Sequence, residues 1–188
     1  MISAKSPKVI AIGASTGGVD AIEEVFSRLP ATIPPVLLVI HMPPGFTKLL
    51  AARCNGKYRL SIKEAQTGDR LICGQVLIAP AGQHMTIAND TIRCYVGEKV
   101  QFVIPSVDVL FESVASVYGK NAMGVILTGM GADGARGLLA MRQAGAYTIG
   151  QDKATSTIYG MPKIAYEMGA VEFQLPLNKI SDKIISLL

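Results

Sequence analysis

A buried strand that runs directly into a glycine-framed serine and then into a helix constrains the fold of this chain most. Residues 9–12 are the apolar run VIAI, and residues 13–18 read GASTGG. Apolar residues then recur at helical spacing between Val19 and Leu29. Glycines permit the tight turn, and free N–H groups at a helix start can receive negative charge. The G-x-S-x-G spacing is that of a nucleophile elbow, so Ser15 is a candidate nucleophile, although serine before a helix is more commonly its N-cap.

Strand-like and helix-like segments alternate along almost the whole chain. The run 36–40, VLLVI, is apolar throughout, which is typical of a central strand in a parallel sheet. Residues 85–87 and 91–95 flank an Asn-Asp pair and predict a β-hairpin. Further strands are predicted at 9–12, 60–64, 75–79, 123–128, 147–150 and 171–175, and helices at 19–29, 46–55, 106–118, 134–144, 161–168 and 177–188. The pattern predicts an α/β fold: a doubly wound, mostly parallel, Rossmann-like sheet with helices on both faces, plus a short β-hairpin insertion.

Length and composition favour one globular domain. We expect it to span residues 9–188 of the 188, with residues 1–8 as a tail or a linker remnant. The net charge of +4 is not concentrated in a block and tryptophan is absent, so we expect no nucleic-acid binding. The N-terminus lacks the apolar core of a signal peptide, and no apolar run is long enough to span a bilayer. We therefore expect a cytoplasmic protein without membrane insertion.

Cysteine and histidine are too few and too scattered for a metal site. Cys54, Cys73 and Cys94 show no C-x-x-C spacing, and His41 and His84 are the two histidines. We expect buried thiols in a reducing compartment, with no metal and no other cofactor. His84 does not follow a predicted strand, so we interpret it as a structural or surface residue.

Three residues that suit acyl transfer follow predicted strands: Ser15, His41 and Asp133. The carboxyl ends of parallel strands share one edge of a sheet, where ligands bind. A serine nucleophile needs a base, imidazole has a suitable pKa, and a carboxylate orients the imidazole. The chain order Ser, His, Asp differs from that of α/β-hydrolases, chymotrypsin and subtilisin. Backbone N–H groups at Thr16 and around Met130 are candidates for the oxyanion hole.

Other functions also fit these residues. Ser15 and Asp133 could each cap a helix, and His41 could be a structural histidine. Residues 129–134 read GMGADG after a strand, and Asp152 follows the next strand, which matches a dinucleotide-binding fingerprint. That alternative predicts NAD binding, whereas the hydrolase hypothesis predicts labelling of Ser15 by a serine-directed reagent. A non-catalytic interaction domain is favoured only if both tests fail.

Six segments together resemble the catalytic domain of the chemotaxis protein-glutamate methylesterase (CheB) family. They are AIGASTGG at 11–18, HMPPGFT at 41–47, PSVDVLF at 105–111, GVILTGMGADG at 124–134, AMRQAGA at 140–146 and GMP at 160–162. The resemblance implies a serine hydrolase that removes methyl groups from γ-glutamyl methyl esters on chemoreceptor helices through a glutamyl-enzyme. It also implies that certain receptor glutamines are deamidated. Ser15, His41 and Asp133 fall on the family's catalytic positions, and Met130 falls in the turn associated with the site.

Two features depart from the family pattern. The family usually carries an N-terminal phospho-accepting receiver domain, so a receiver domain that this sequence lacks is a candidate partner. Residues 101–104, QFVI, are apolar where relatives are often polar and basic, which we expect to alter substrate approach.

A basic cluster of Lys48, Arg53, Lys57 and Arg59 is a candidate docking site for acidic receptor helices, although ordinary solvated charge explains it equally well.

Overall fold

The computed structural model describes residues 7–188, so most of the predicted tail at residues 1–8 lies outside the described residues. The strands are β1 (Val9–Ala14), β2 (Val36–Ile40), β3 (Ser61–Glu64), β4 (Gln75–Ile78), β5 (His84–Ala88), β6 (Thr91–Tyr95), β7 (Ala122–Ile126), β8 (Tyr147–Gln151) and β9 (Phe173–Leu175). The helices are α1 (Gly18–Arg28), α2 (Phe46–Cys54), α3 (Val107–Tyr118), α4 (Ala135–Gln143), α5 (Met161–Glu167) and α6 (Leu177–Ser186), with a 3-10 turn at Gly119–Asn121 after α3.

Seven strands form one parallel sheet in the order β3-β4-β2-β1-β7-β8-β9, and β5 pairs with β6 in a separate antiparallel hairpin. The predicted doubly wound sheet with a hairpin insertion is confirmed. The central strand β1 pairs with β2 on one side and with β7 on the other. The chain reverses its direction of winding between β1 and β7. In sheets of this type, ligands bind in the crevice at that reversal, beside the carboxyl ends of the strands.

The side chains of β1 are buried on both faces of the sheet. Val9 and Ala11 pack in a core that includes residues of α3, α4 and the hairpin. Ile10 and Ile12 pack in a second core that includes residues of α1, α2 and α6. Each buried isoleucine contributes about 1.5–3 kcal/mol through the apolar surface that it removes from water. The two cores hold the carboxyl end of β1 rigidly in the middle of the sheet.

One prediction about the cysteines is wrong. Cys54 is buried and Cys94 is half-buried, but Cys73 is exposed, and all three are free thiols. Cys73 lies in the turn before β4, where the N–H of Gln75 donates to the carbonyl of Ile72. The apolar segment of the sheet begins only after this turn, so the thiol faces solvent.

His84 is structural, which is one of the two roles predicted for it. His84 is the first residue of β5 and is 2% exposed. Its Nε2 atom bonds to the carbonyl of Glu98 at 2.8 Å, and its Nδ1 atom accepts from the N–H of Ser106 at 3.2 Å. The ring therefore fixes the residues before α3 to the hairpin.

Candidate active site

Ser15 and His41 leave the sheet side by side. Ala14 and Ile40 are register partners at the ends of β1 and β2. Ser15 directly follows Ala14, and His41 directly follows Ile40. The N–H of His41 donates to the carbonyl of Ala14 at 3.2 Å. The N–H of Ser15 donates to the carbonyl of Thr128, beyond β7, at 3.0 Å. The peptide group that joins Ala14 to Ser15 is thus hydrogen-bonded on both sides, to the residues that follow β2 and β7.

The turn after β1 holds Ser15 outside the helix that follows. The N-cap of α1 is Gly17, at φ 76°, and no side chain caps this helix, so the alternative role of Ser15 as its N-cap is wrong. A Cβ atom on Gly17 would lie 2.4 Å from the Oγ1 atom of Thr157. The N–H of Gly18 donates to the Ser15 carbonyl at 2.7 Å and closes the turn. The glycines therefore shape the elbow and leave the Ser15 hydroxyl free of capping.

The His41 ring meets the Asp133 carboxylate. The Nε2 atom of His41 lies 2.9 Å from Oδ2 of Asp133, and their side chains are 15% and 4% exposed. The Nδ1 atom of His41 is therefore the ring nitrogen that remains for Ser15. Among the residues that the structure describes, no hydrogen bond joins the Ser15 hydroxyl to this ring. Catalytic hydrogen bonds often close only when substrate is bound.

Asp133 is anchored at the start of α3, not of the helix that follows it. Its Oδ1 accepts from the Ser106 hydroxyl at 2.7 Å and from the N–H of Asp108 at 3.0 Å, and its Oδ2 accepts from the N–H of Val107 at 2.7 Å. The N-cap of α4 is Gly134, without any side-chain cap. Asp133 therefore caps a helix, but that helix is α3 and not α4, which the capping alternative predicted.

The same contacts decide the charge of Asp133. Burial by itself would raise the pKa of this carboxyl, but the hydrogen bonds from His41, Ser106 and the N–H groups of Asp108 and Val107 outweigh burial and hold the pKa below its ordinary value of 3.8. The carboxylate stays ionised and can stabilise a protonated His41 ring.

Ser106 and Asp108 were not singled out from the sequence as site residues. Ser106 donates to Asp133 and is also the N-cap of α3, where it accepts from the N–H of Val109. The buried carboxylate of Asp108 accepts from the N–H of Gly137 at 2.7 Å and so fixes α3 to α4. The signal for both lies in the segment PSVD at 105–108, which predicts a helix start and contributes to the family resemblance.

Gly129 allows the turn after β7 to approach the candidate nucleophile. A Cβ atom on Gly129 would lie 2.8 Å from the Ser15 Cβ and 2.2 Å from the Met161 Sδ. The N–H of Gly129 donates to the Ile158 carbonyl at 3.0 Å and is not available to a ligand. Within residues 7–188, the N–H groups of Thr16 and Met130 have no protein acceptor, so both remain candidates for the oxyanion hole.

The dinucleotide fingerprint is occupied by other contacts. Oδ1 of Asp152 accepts from the N–H of Thr155 at 3.0 Å and from its hydroxyl at 2.7 Å, so the carboxylate holds its own turn. The N–H of Gly160 donates to the Gly129 carbonyl at 3.2 Å, which covers the first glycine. These contacts favour the hydrolase hypothesis.

The predicted basic cluster is divided. Arg53 and Lys57 both pair with Glu23, and Tyr58 donates to the same carboxylate at 2.7 Å. Lys48 lines a groove that Arg53, Lys57 and Arg59 do not line. In the described part of the chain, neither Lys48 nor Arg59 forms an ion pair.

Residues 7–188 show neither a candidate metal-ion cluster nor a candidate membrane span. They contain no cluster of three His, Cys, Asp or Glu side chains that could hold a metal ion. None of their helices combines the length and apolar character needed to cross a membrane.

Comparisons with known proteins match nearly the whole chain. The family model for CheB methylesterase matches residues 10–184. A protein-glutamate methylesterase/protein-glutamine glutaminase 2 of Syntrophomonas wolfei is 53% identical over 184 residues, which are 96% of this chain and 54% of that protein. The protein of the same name from Pseudomonas aeruginosa is 51% identical over 178 residues, 93% of this chain and 51% of that protein. The chain thus spans about half the length of these curated relatives.

A solved structure shows the same architecture. The crystal structure of the Thermotoga maritima CheB methylesterase catalytic domain superposes with a TM-score of 0.92 at 37% identity. The match covers 97% of this chain and 100% of that one. With the fold, the segment pattern and the comparisons in agreement, the chain belongs to the CheB methylesterase family.

Proposed function

We propose that residues 9–188 are a single catalytic domain that hydrolyses γ-glutamyl methyl esters on the cytoplasmic helices of methyl-accepting chemotaxis receptors and releases methanol. One observation carries the proposal: the half-buried ring of His41 pairs with the buried carboxylate of Asp133 at the same strand edge as Ser15, where the sheet reverses its winding. The names of the curated relatives include protein-glutamine glutaminase, so we also propose deamidation of receptor glutamines at the same site.

In the first half of the reaction, the Ser15 hydroxyl attacks the ester carbonyl while Nδ1 of His41 takes its proton. Asp133 keeps the ring in position through Nε2 and stabilises the imidazolium. The N–H groups of Thr16 and Met130 donate to the oxyanion. The alkoxide leaves as methanol after it receives the proton from His41.

In the second half, water hydrolyses the glutamyl-enzyme with His41 again acting as the base. The products are a receptor glutamate and free Ser15. A glutamine substrate follows the same course, except that ammonia is the leaving group. No step needs a metal or another cofactor.

The curated relatives are about twice as long as this chain, which supports a receiver domain as a further partner in a longer protein.

We also propose that exposed basic side chains guide acidic receptor helices to the site. Because Glu23 neutralises part of the charge of Arg53 and Lys57, we assign most of this guidance to Lys48 and Arg59. Neutralising Lys48 and Arg59 together should slow receptor demethylation at low salt, and an unchanged rate would remove this part of the proposal.

Methanol release from a methylated receptor fragment tests the proposed function, with ammonia release from the matching glutamine form measured in parallel. The proposal predicts methanol from the ester. NAD binding without methanol release would favour a dinucleotide-binding protein instead.

A further inference from the structure

Thr128 contacts the turn that carries Ser15 through two hydrogen bonds. This residue lies just beyond β7 and is 1% exposed. Its carbonyl accepts from the N–H of Ser15 at 3.0 Å, and its Oγ1 atom lies 2.9 Å from the carbonyl oxygen of Thr16. The peptide that joins Ser15 to Thr16 is therefore flanked on both sides by bonds to this one residue.

The hydroxyl of Thr128 also joins that turn to the segment before α5. A hydroxyl has one hydrogen to donate and can accept at its oxygen. Oγ1 lies 3.2 Å from the Ile158 carbonyl, which already accepts from the N–H of Gly129 at 3.0 Å. The Thr16 carbonyl is the nearer acceptor, so we assign the hydrogen to it. The oxygen accepts from the N–H of Ile158 at 2.9 Å, which completes the link between the two segments.

The two candidate oxyanion donors lie on the two sides of this link. The N–H of Thr16 belongs to a peptide whose carbonyl, on Ser15, accepts from Gly18 at 2.7 Å. The N–H of Met130 belongs to a peptide whose carbonyl, on Gly129, accepts from the first N–H of α5 at 2.8 Å. In a trans peptide the N–H points away from the carbonyl, so these bonds fix the direction of each donor. The placement of one donor relative to the other then depends on how the two segments are joined.

A buried amide holds Thr128 itself. The N–H of Thr128 donates to Oε1 of Gln151 at 2.7 Å, and Nε2 of Gln151 donates to the Thr155 carbonyl at 2.9 Å. Gln151 is fully buried. Burying a hydroxyl is costly unless its hydrogen bonds are made, and valine would fill nearly the same space without that cost. The contacts of the hydroxyl, rather than packing, therefore explain a threonine at this position.

We propose that Thr128 is a positioning residue whose hydroxyl sets the placement of the Thr16 and Met130 N–H groups relative to each other, and so the stabilisation of the oxyanion. This inference rests on the proposed function. Because Thr128 is buried, it acts through the two donors and not by contact with the substrate. Loss of one oxyanion donor typically lowers the rate by on the order of a hundredfold or more. Displacing the donors without removing them should cost less, about tenfold.

Steady-state methanol release from a methylated receptor fragment tests this role in four variants. Thr128→Val removes the hydroxyl and keeps the branched shape, Thr128→Ser keeps the hydroxyl, and Thr128→Cys replaces it with a weaker donor. Thr148→Val is the matched control. Thr148 is a buried threonine of β8 whose hydroxyl accepts from the N–H of Glu172 at 3.0 Å, and within residues 7–188 it has no hydrogen bond to the Ser15 turn.

We expect Thr128→Val to lower kcat by about tenfold and to leave KM within about twofold, since oxyanion stabilisation acts on the transition state. Thr128→Ser should restore kcat, and Thr128→Cys should give an intermediate value. Thr148→Val should keep the kcat of the wild type. Melting temperatures measured alongside exclude unfolding as the cause, and the cysteine variant carries the test if the valine variant does not fold.

Labelling by an alkyl fluorophosphonate separates this inference from the proposed function. The Ser15 oxygen bonds to phosphorus, its proton passes to His41, and fluoride leaves, so the reaction uses the same oxyanion donors without a receptor substrate. Peptide mapping by mass spectrometry follows the rate of labelling at Ser15. That rate should fall in Thr128→Val by about the same factor as kcat.

The inference is overturned if Thr128→Val, or Thr128→Cys in its place, labels and turns over as fast as the wild type. It is also overturned if Thr128→Ser does not restore kcat, if Thr148→Val lowers kcat as much, or if Ser15 of the wild type is not labelled. A wild-type chain that releases no methanol, while labelling of Ser15 still depends on Thr128, would instead contradict the proposed function alone.

Discussion

The Nε2 atom of His41 lies 2.9 Å from the Oδ2 atom of Asp133, although 92 residues separate the two in the chain. The same carboxylate accepts hydrogen bonds from three groups at the start of α3. Asp133 therefore has two roles, since it orients the candidate base and caps a helix that packs against the central sheet. Substitutions near this carboxylate should separate effects on catalysis from effects on stability.

Asp133→Asn should lower turnover by on the order of a thousandfold or more, because an amide cannot stabilise the imidazolium. It should also cost about 1–3 kcal/mol of folding free energy, because an amide has one acceptor oxygen where the carboxylate has two, so a buried N–H at the start of α3 loses its partner. Steady-state methanol release and urea unfolding measure the two effects. Asp152→Asn is the control, because Asp152 caps only its own turn. Similar losses of turnover in both variants would contradict the assigned role.

Ser106→Ala should lower kcat/KM by about tenfold, because it removes a charge-assisted hydrogen bond to Asp133 worth roughly 1.5–3 kcal/mol at most. Ser106→Thr should restore the activity, since it returns the hydroxyl. Ser113→Ala is the matched control, because Ser113 is a hydroxyl on the same helix that bonds to Leu110 and Ile87 and not to Asp133. A role of Ser106 in positioning is ruled out if alanine and threonine give equal rates.

Glu23 should make the protein sensitive to acid. Hydrogen bonds from Lys57 and Tyr58, helped by the charge of Arg53, lower the pKa of Glu23 from 4.5 to about 2. A depressed carboxyl pKa contributes stability above pH 4.5 that is lost as the pH falls toward about 2. Glu23→Gln should therefore be less stable than wild type at neutral pH but lose less free energy of unfolding across that window. Urea unfolding at several pH values measures this.

Glu24→Gln, which removes only an exposed pair with Arg28, should leave the pH profile as in wild type.

The three cysteines should differ in reactivity. Cys73 is exposed, whereas burial raises the pKa of Cys94 to about 11 and also raises that of Cys54. A maleimide reagent should therefore modify Cys73 first in the folded protein, as read by peptide mapping. Cys73→Ser should abolish the fast phase, and a fast phase that survives in this variant would contradict the exposure of that thiol.

The sequence predicted the sheet well because its strands are buried on both faces. The run 36–40 is apolar at every position and was predicted at its observed bounds. The end of β1 was predicted two residues early, at Ile12, because Gly13 and Ala14 have little strand preference of their own and are held by pairing with neighbouring strands. Local propensity could not reveal that pairing.

The residues of the candidate site were predictable by type, but their contacts were not. Placement at strand ends pointed to Ser15, His41 and Asp133, since parallel strands share one edge. That Asp133 caps α3 depends on the packing of α3 beside α4, which no local pattern reports. The exposure of Phe102 depends likewise on a turn that Asp108, outside the segment, holds through the side chain of Gln101.

Methanol release by wild type and by Ser15→Ala, measured on the same methylated receptor fragment, tests the central claim most directly. The hydroxyl of Ser15 is the proposed nucleophile, so its removal should reduce release to the background of the uncatalysed ester. The variant should keep the melting temperature of the wild type, which would show that the protein is folded. Equal rates of methanol release by the two proteins would contradict the account.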